Sequence, residues 1–270
     1  MATADKDRYL ASLFAPDARR PYLNALYAFN IELARVRDTV REPMLGELRL
    51  QWWREALDGM YAGDTPEHPV AQALVRTVEI GDLPKHSLAN MVEARLFDLY
   101  DDPMPSLNDL EGYLGETAAA LIQMGALVLA GPDALAGAEA AGFAGTAFGL
   151  TGLLRSLPLH RARGQCYVPL DLLQQRDLTP AHLLSGRDEM ALGVVLSELR
   201  HRAEALLHKA RERTWTVPRA ALPAFLPVSL TDGYLKRLDQ LGPRALTTVA
   251  EVSQVRRQWR LFWQAQFEHF

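Results

Sequence analysis

The chain has 270 residues, 49% hydrophobic and 23% charged, which excludes global disorder and allows one large core or two smaller ones. Its one cysteine, Cys166, excludes an internal disulfide framework and any cysteine-rich metal centre. A formal net charge of −4 argues against general nucleic-acid binding, which needs a basic face. No stretch reaches the roughly 18–20 uninterrupted apolar residues of a membrane span. The nearest, Thr117 to Gly131, is short and holds Gln123. Met1 to Asp7 carries Asp5 and Asp7 and lacks an apolar signal core, so the expected compartment is the reducing cytoplasm.

Helical periodicity runs through most of the chain. From Pro21, the residues Leu23, Leu26, Tyr27, Ile31 and Ala34 recur at three- and four-residue steps, as in a half-buried helix. Leu48, Trp52, Glu55 and Ala56 continue the pattern to Gly59, and helices are predicted from Pro69 to Ile80 and from Lys85 to Leu99. Asp101 to Pro105 breaks the chain, and Ser106 with Asp109 supplies a helix start ahead of Leu110. Leu110 to Leu129 is apolar almost throughout and reads as a central helix buried on every side. After a turn at Pro132 and Asp133, a glycine-spaced helix is predicted from Ala134 to Leu157. Pro158 ends it, because a residue before proline is pushed out of the helical region. Gly164 to Leu170 reads as a loop. Further helices are predicted at Pro180 to Leu184, Glu189 to Arg213, Leu222 to Leu241 and Thr247 to Phe270. With no alternating strands and no repeat of roughly 20–50 residues, the fold class is all-α.

Common catalytic signatures are absent: no HExxH, CxxC, GxxxxGK[ST] or GxSxG occurs. His201 and His208 share a helical face without carboxylate support and read as surface residues. Gly142, Gly145, Gly149 and Gly152 need a reason, since each costs roughly 1 kcal/mol relative to alanine inside a helix. With Ala141, Ala144 and Ala147 they make a smooth face for a second helix or an apolar ligand, and helix packing is the plainer reading. In the last helix Val255, Trp259, Phe262, Trp263, Phe267 and Phe270 form an aromatic stripe flanked by Arg256, Arg257 and Arg260. Its expected role is core packing; docking to a membrane surface or a hydrophobic partner is the alternative.

Two segments are more specific. The first is Ala25 to Asp38, ALYAFNIELARVRD; the second is Ala147 to Ser156, AFGLTGLLRS, continuing into Arg163 to Pro169, RGQCYVP. Together they resemble the squalene/phytoene synthase family of head-to-head prenyltransferases. The first is similar to that family's LYAFCRxxDDxxD helix and the second to its QLTNILRDxxEDxxRGxxYLP helix and loop. Trp53 to Leu57, Glu93 to Leu99 and Leu222-Pro223 extend the resemblance over most of the chain, from Tyr9 to Leu241. It implies an all-α isoprenoid-synthase-type helical bundle with a central cavity, as a single domain over residues 1–270.

In that family the two motifs imply magnesium held by carboxylates on facing helices, stabilising the departing diphosphate. Here the first motif's paired acids fall on Ala34 and Arg35, leaving Asp38. The second motif's glutamine and asparagine fall on Gly149 and Gly152, and its acids on Ser156, Leu159 and His160. No catalytic residue and no metal or other cofactor is therefore expected. Magnesium returns only for a working prenyltransferase in which Glu32, Glu93, Asp98 or Glu116 holds it.

The departure is itself similar to a known branch of the family, with NIELARVRD-like first and LLRSxPxH-like second motifs. The strings that match are Phe29 to Asp38, Glu42 to Leu45, Leu50 to Glu55 and Leu153 to Pro169. That branch includes the mitochondrial NADH dehydrogenase (complex I) assembly factor and its α-proteobacterial relatives. The similarity implies a catalytically degenerate protein, a pseudoenzyme, that assists assembly or stability of respiratory complex I. Its partner would be a respiratory-complex subunit or assembly protein, and its place the cytoplasm or the periphery of the inner membrane. A third reading has Arg35, Arg155, Arg161 and Arg163 bind the phosphate of an isoprenoid or lipid directly, with Gly145, Gly149 and Gly152 as the cavity wall.

Overall fold

In the computed structural model, residues 3–267 and 270 are described. The first half of the chain folds into α1 (Lys6–Ser12), α2 (Arg20–Ala34), α3 (Val36–Thr39), α4 (Pro43–Ala62), α5 (Pro69–Gly81), α6 (Lys85–Ala94), α7 (Leu107–Leu114) and α8 (Ala120–Ala130). The second half adds α9 (Ala138–Arg155), α10 (Leu157–Ala162), α11 (Leu170–Gln174), α12 (Pro180–Ser185), α13 (Glu189–Arg211), α14 (Leu222–Phe225), α15 (Thr231–Leu241) and α16 (Gln254–Phe267). No strand occurs among the described residues.

Local chemistry sets the ends. Pro43 and Pro69 sit in the first turns of α4 and α5, where a missing N–H leaves no bond unmade. Gly63 stops α4 in the left-handed region, at φ +98°. Ser106 Oγ accepts the Asp109 N–H, so α7 starts at Leu107 as its cap dictates.

The structure departs from the predicted elements at identifiable points. The helix expected from Leu110 to Leu129 widens at Gly115–Ala119 into a π-helical turn. The helix expected from Lys85 to Leu99 stops at Ala94, and Phe97–Leu99 forms a 3-10 turn. Pro158 does not end α9. The break comes at Ser156, and Pro158 opens α10 from its first turn, a position proline tolerates. Between Leu222 and Leu241 a 3-10 turn, Leu226–Leu230, separates α14 from α15. The last helix begins at Gln254 rather than Thr247.

Helix α9 is the axis of the bundle. Its Ala140, Ala141, Ala144 and Ala147 join the core made with α2, α4, α5, α6 and α8. Its Leu150 and Leu154 join a second cluster with α11, α12, α13 and α15, and α13 packs along its length. By length and composition the helical run Leu107–Arg155 is apolar enough to cross a membrane, a feature that counting uninterrupted apolar residues misses. Its most apolar window is 56% buried inside the fold, as in a core helix.

The glycines of α9 divide by role. A Cβ on Gly145 would lie 2.2 Å from Ala119 Cα, so this residue lets α9 lie against the π turn. Gly145 is thus a helix contact and not the cavity wall it was expected to be. Gly142 and Gly152 have open space beside them. The aromatic stripe of α16, expected in the core, faces solvent: of this helix only Arg257 and Leu261 are buried, and Trp259 is 64% exposed. Phe270 alone of the stripe is buried, against Phe225.

These contacts give a paired expectation. Gly142→Ala should raise stability by up to about 1 kcal/mol, because it adds helix propensity and meets nothing. Gly145→Ala should lower it by about 1–3 kcal/mol, because its methyl group meets backbone. Urea denaturation of the two variants checks the opposite signs.

Candidate functional site

The two motif segments meet across a cavity of about 350 Å³ between α2, α7, the π turn and α9. Asn30, Ala34 and Arg35 line it from α2 and its C-terminal end, and Tyr113, Thr117 and Ala118 from the opposite side. Phe148, Gly149, Gly152, Ser156 and His160 complete the wall. The second motif's stripe of Gly152, Ser156 and His160 therefore keeps one line along the cavity across the break at Ser156. The first motif's stripe does not. Arg35 ends α2, and Asp38 lies on the separate α3, outside the cavity lining. Its carboxylate pairs with Arg163 at 2.8 Å.

Behind this wall lies a buried carboxylate, Asp98, on the 3-10 turn that follows α6. It takes a hydrogen bond from the Tyr167 hydroxyl at 2.7 Å and from the Tyr113 hydroxyl at 2.9 Å. Arg95, one turn earlier, pairs with it at 3.0 Å and also donates to Tyr113 and Asn30. Gln165 donates to its backbone carbonyl at 3.1 Å. Burial and the neighbouring carboxylate both raise the Tyr167 hydroxyl far above its ordinary range, so it stays a donor. Burial works against the Arg95 charge, yet Tyr113 and Asp98 outweigh it and hold the guanidinium protonated. Arg95, Asn30 and Tyr113 each present a face to the cavity, so the network forms its polar floor. His160 lies against the Tyr167 ring with centroids 4.7 Å apart. Burial lowers its pKa to about 4 from an ordinary 6.5, and the imidazole is neutral at pH 7.

The other candidate residues fall in different places. Arg155 was expected to face the cavity, but it lies over the Tyr234 ring at 3.4 Å and donates to the Ala250 carbonyl at 3.1 Å. It also approaches Asp7, 3.5 Å away. Arg161 donates to the Leu246 and Leu184 carbonyls and ties α10 to later segments. Neither is placed to bind a phosphate in the cavity. Arg35 is, with no carboxylate partner among the described residues. Of the alternative acids, Glu93 pairs with Arg54 on the surface and Asp98 is enclosed by its network, while Glu32 and Glu116 lie outside the cavity lining. Cys166 is buried, and burial pushes its thiol up to about 11, so it is inert as a nucleophile.

Asn30, Arg95, Tyr113 and Tyr167 are the site residues that motif reasoning passed over. The signal was present: Arg95 and Asp98 stand three apart, and Tyr167 lies within the RGQCYVP string.

The donor set decides how magnesium would fare here. Magnesium needs oxygen ligands in near-octahedral order and releases water reluctantly. Among the described residues the cavity lining offers one carboxylate, Asp5, which caps α1 and pairs with Arg8 at 2.7 Å. No cluster of three or more histidine, cysteine or acidic side chains able to hold a metal occurs among the described residues. Arg35 and Arg95 at the same wall repel a cation. The residues do not fit the ion.

Three variants, each followed by urea denaturation, check this electrostatic picture. Asp98→Asn should destabilise by about 3–5 kcal/mol by leaving Arg95 buried and uncompensated. Tyr167→Phe, which removes one charge-assisted bond, should cost about 1.5–3 kcal/mol. For His160 the unfolded chain takes up its proton first, near pH 6.5, and the folded chain only near pH 4. The contribution of this residue is whole above pH 6.5 and is lost as pH falls towards 4. His160→Gln should flatten that limb of the stability curve; an unchanged slope would assign it to another group.

Comparisons with known proteins show the family and the fold. The squalene/phytoene synthase family model matches residues 1–264. The chain is 32% identical over 237 residues to NADH dehydrogenase (ubiquinone) complex I, assembly factor 6, of Mus musculus, covering 88% of this chain and 71% of that one. Among solved structures it is similar to a dehydrosqualene synthase in complex with ligand, with a TM-score of 0.81, 20% identity and coverage of 98% and 92% of the two chains. It is similar also to the squalene synthase HpnC from Alicyclobacillus acidocaldarius, with a TM-score of 0.78, 21% identity and coverage of 89% and 90%. Those two likenesses establish the isoprenoid-synthase helical fold. With the family model matched over nearly its whole length, the chain belongs to the squalene/phytoene synthase family.

Proposed function

We propose that this chain assists the assembly or stability of respiratory complex I and no longer performs metal-dependent prenyl transfer. One observation carries the reading. The two motif faces that bring carboxylates to magnesium in a prenyltransferase meet here across Ala34, Arg35, Gly149, Gly152, Ser156 and His160. The one motif acid left, Asp38, is paired with Arg163. The similarity to complex I assembly factor 6 supplies the positive half of the argument. Such a role acts through surfaces, so the fold is kept while the metal ligands drift. The compartment proposed with this role is the cytoplasm, at the periphery of the inner membrane.

A second reading is favoured by the cavity itself, which is open and of a size that suits a small ligand. Arg95 Nε and His160 Nδ1 are buried there without a hydrogen-bond partner among the described residues. With Arg35 they form a cationic and polar wall suited to a phosphate or diphosphate group, bound without turnover. The two readings are compatible, because a bound isoprenoid or lipid can accompany a scaffold role.

Deleting the gene from its host should lower the amount of assembled complex I on native gels several-fold, and both the wild-type chain and Asp38→Asn should restore it. Unchanged complex I together with loss of an isoprenoid product would contradict the proposal. Native mass spectrometry of the purified chain should show a retained phosphate-bearing lipid that Arg35→Ala releases; a ligand-free spectrum removes the second reading alone.

A further inference from the structure

The face formed by α15 and α16 follows from a competition that the arginines win. Arg257 pairs with the buried Asp7 at 2.7 Å and donates to the Tyr234 hydroxyl at 3.1 Å. Arg260 donates to the Ser229 carbonyl at 2.7 Å and pairs with Asp232. These bonds fix the rotation of α16 and turn its aromatic side outward. Trp259 and Trp263 stack with centroids 5.9 Å apart, and Phe267 lies 4.8 Å beyond Trp263. Trp215, 84% exposed, borders the same groove as Phe267 and widens the patch. Exposed aromatic rings gathered on one face in this way mark a surface that meets something other than water.

Charge identifies what it meets. Lys236 and Arg237 on α15 and Arg256 on α16 line one groove with Trp259 and Trp263. Among the described residues none of the three has a carboxylate within ion-pairing distance. Glu251, at the edge of that groove, lies 3.6 Å from Arg257. On a chain of net charge −4 this is a local positive field beside an apolar ridge. Tryptophan rings suit the depth of lipid headgroups, and the flanking cations suit lipid phosphates.

We propose that the α15–α16 face docks peripherally on an anionic lipid surface, with the Trp259–Trp263–Phe267 ridge entering the headgroup layer and Lys236, Arg237 and Arg256 facing the phosphates. The docking is independent of the assembly role and of any cavity ligand. The intact chain is mixed with phosphatidylcholine vesicles with or without phosphatidylglycerol, and sedimentation and tryptophan emission are read. The expected result is co-sedimentation and a blue-shifted emission with phosphatidylglycerol, weakened by salt. Each cation near an anionic surface is worth about fivefold in partitioning, so Lys236→Glu with Arg237→Glu and Arg256→Glu should lose well over tenfold. Trp259→Ser with Trp263→Ser should lose a comparable amount. All five side chains are exposed, so both variants should keep the parental melting temperature. Failure to bind phosphatidylglycerol vesicles, or undiminished binding by the tryptophan variant, overturns the proposal. A soluble dimer that needs both tryptophans and leaves vesicles unbound reassigns the face to a second copy of the chain.

Discussion

A carboxylate taken out of water must be matched by donors already in place, and this fold contains two that shape everything around them. Asp98 draws Tyr113 from α7, Tyr167 from the loop after α10 and Arg95 from the end of α6 onto one point. Asp7 does the same on α1, gathering Tyr234, Arg257 and Arg155 from α15, α16 and α9. Each network is an organiser as much as a stabiliser, because losing one partner leaves a charge stranded in low dielectric. The first builds the polar floor of the cavity. The second removes Arg155 from the cavity and sets the rotation of α16, which exposes the aromatic ridge.

The cavity lies between the two motif segments, and of the positions where the resemblance expects acids only Asp38 carries one. Gly145 lets α9 lie against the π turn, and so fixes the width of the wall that Gly149 and Gly152 continue. Ser156 breaks the axis helix where the second motif's acids would follow, yet Pro158 restarts it at once and keeps His160 on the cavity side. On the other side the helix breaks at Arg35 between α2 and α3, and Asp38 on α3 pairs with Arg163. The charged side chains that line the cavity are Asp5, Arg8, Arg35 and Arg95, so the wall favours anions over cations. A half-buried, neutral His160 adds a polar atom without adding charge.

Much of this was legible in the residues. The helical periods of α2, α5 and α13, the Ser106 cap and the loop at 164–169 follow from spacing and capping chemistry. The resemblance of ALYAFNIELARVRD and AFGLTGLLRS placed both segments at one cavity. What spacing could not show was direction. Arg155 and Arg161 stand in the right strings and point elsewhere, because carbonyls and an aromatic ring from distant segments claim them. The aromatic stripe of α16 carries the period of a core helix, but the period says only that one side is apolar. Buried partners of Arg257, far away in sequence, decide which side goes in. Asp98 was visible as an acid and invisible as the centre of a network, since its partners come from separate segments.

The claim that everything else rests on is that the motif faces form a site without metal. The melting temperature of the intact chain in millimolar magnesium chloride, against sodium chloride of equal ionic strength, tests it directly. A specific site stabilises by about 2.7 kcal/mol when the ion is at one hundred times its Kd. The account predicts the same melting temperature in both salts, for the wild-type chain and for Asp38→Asn alike. A rise specific to magnesium that disappears in Asp38→Asn would contradict it.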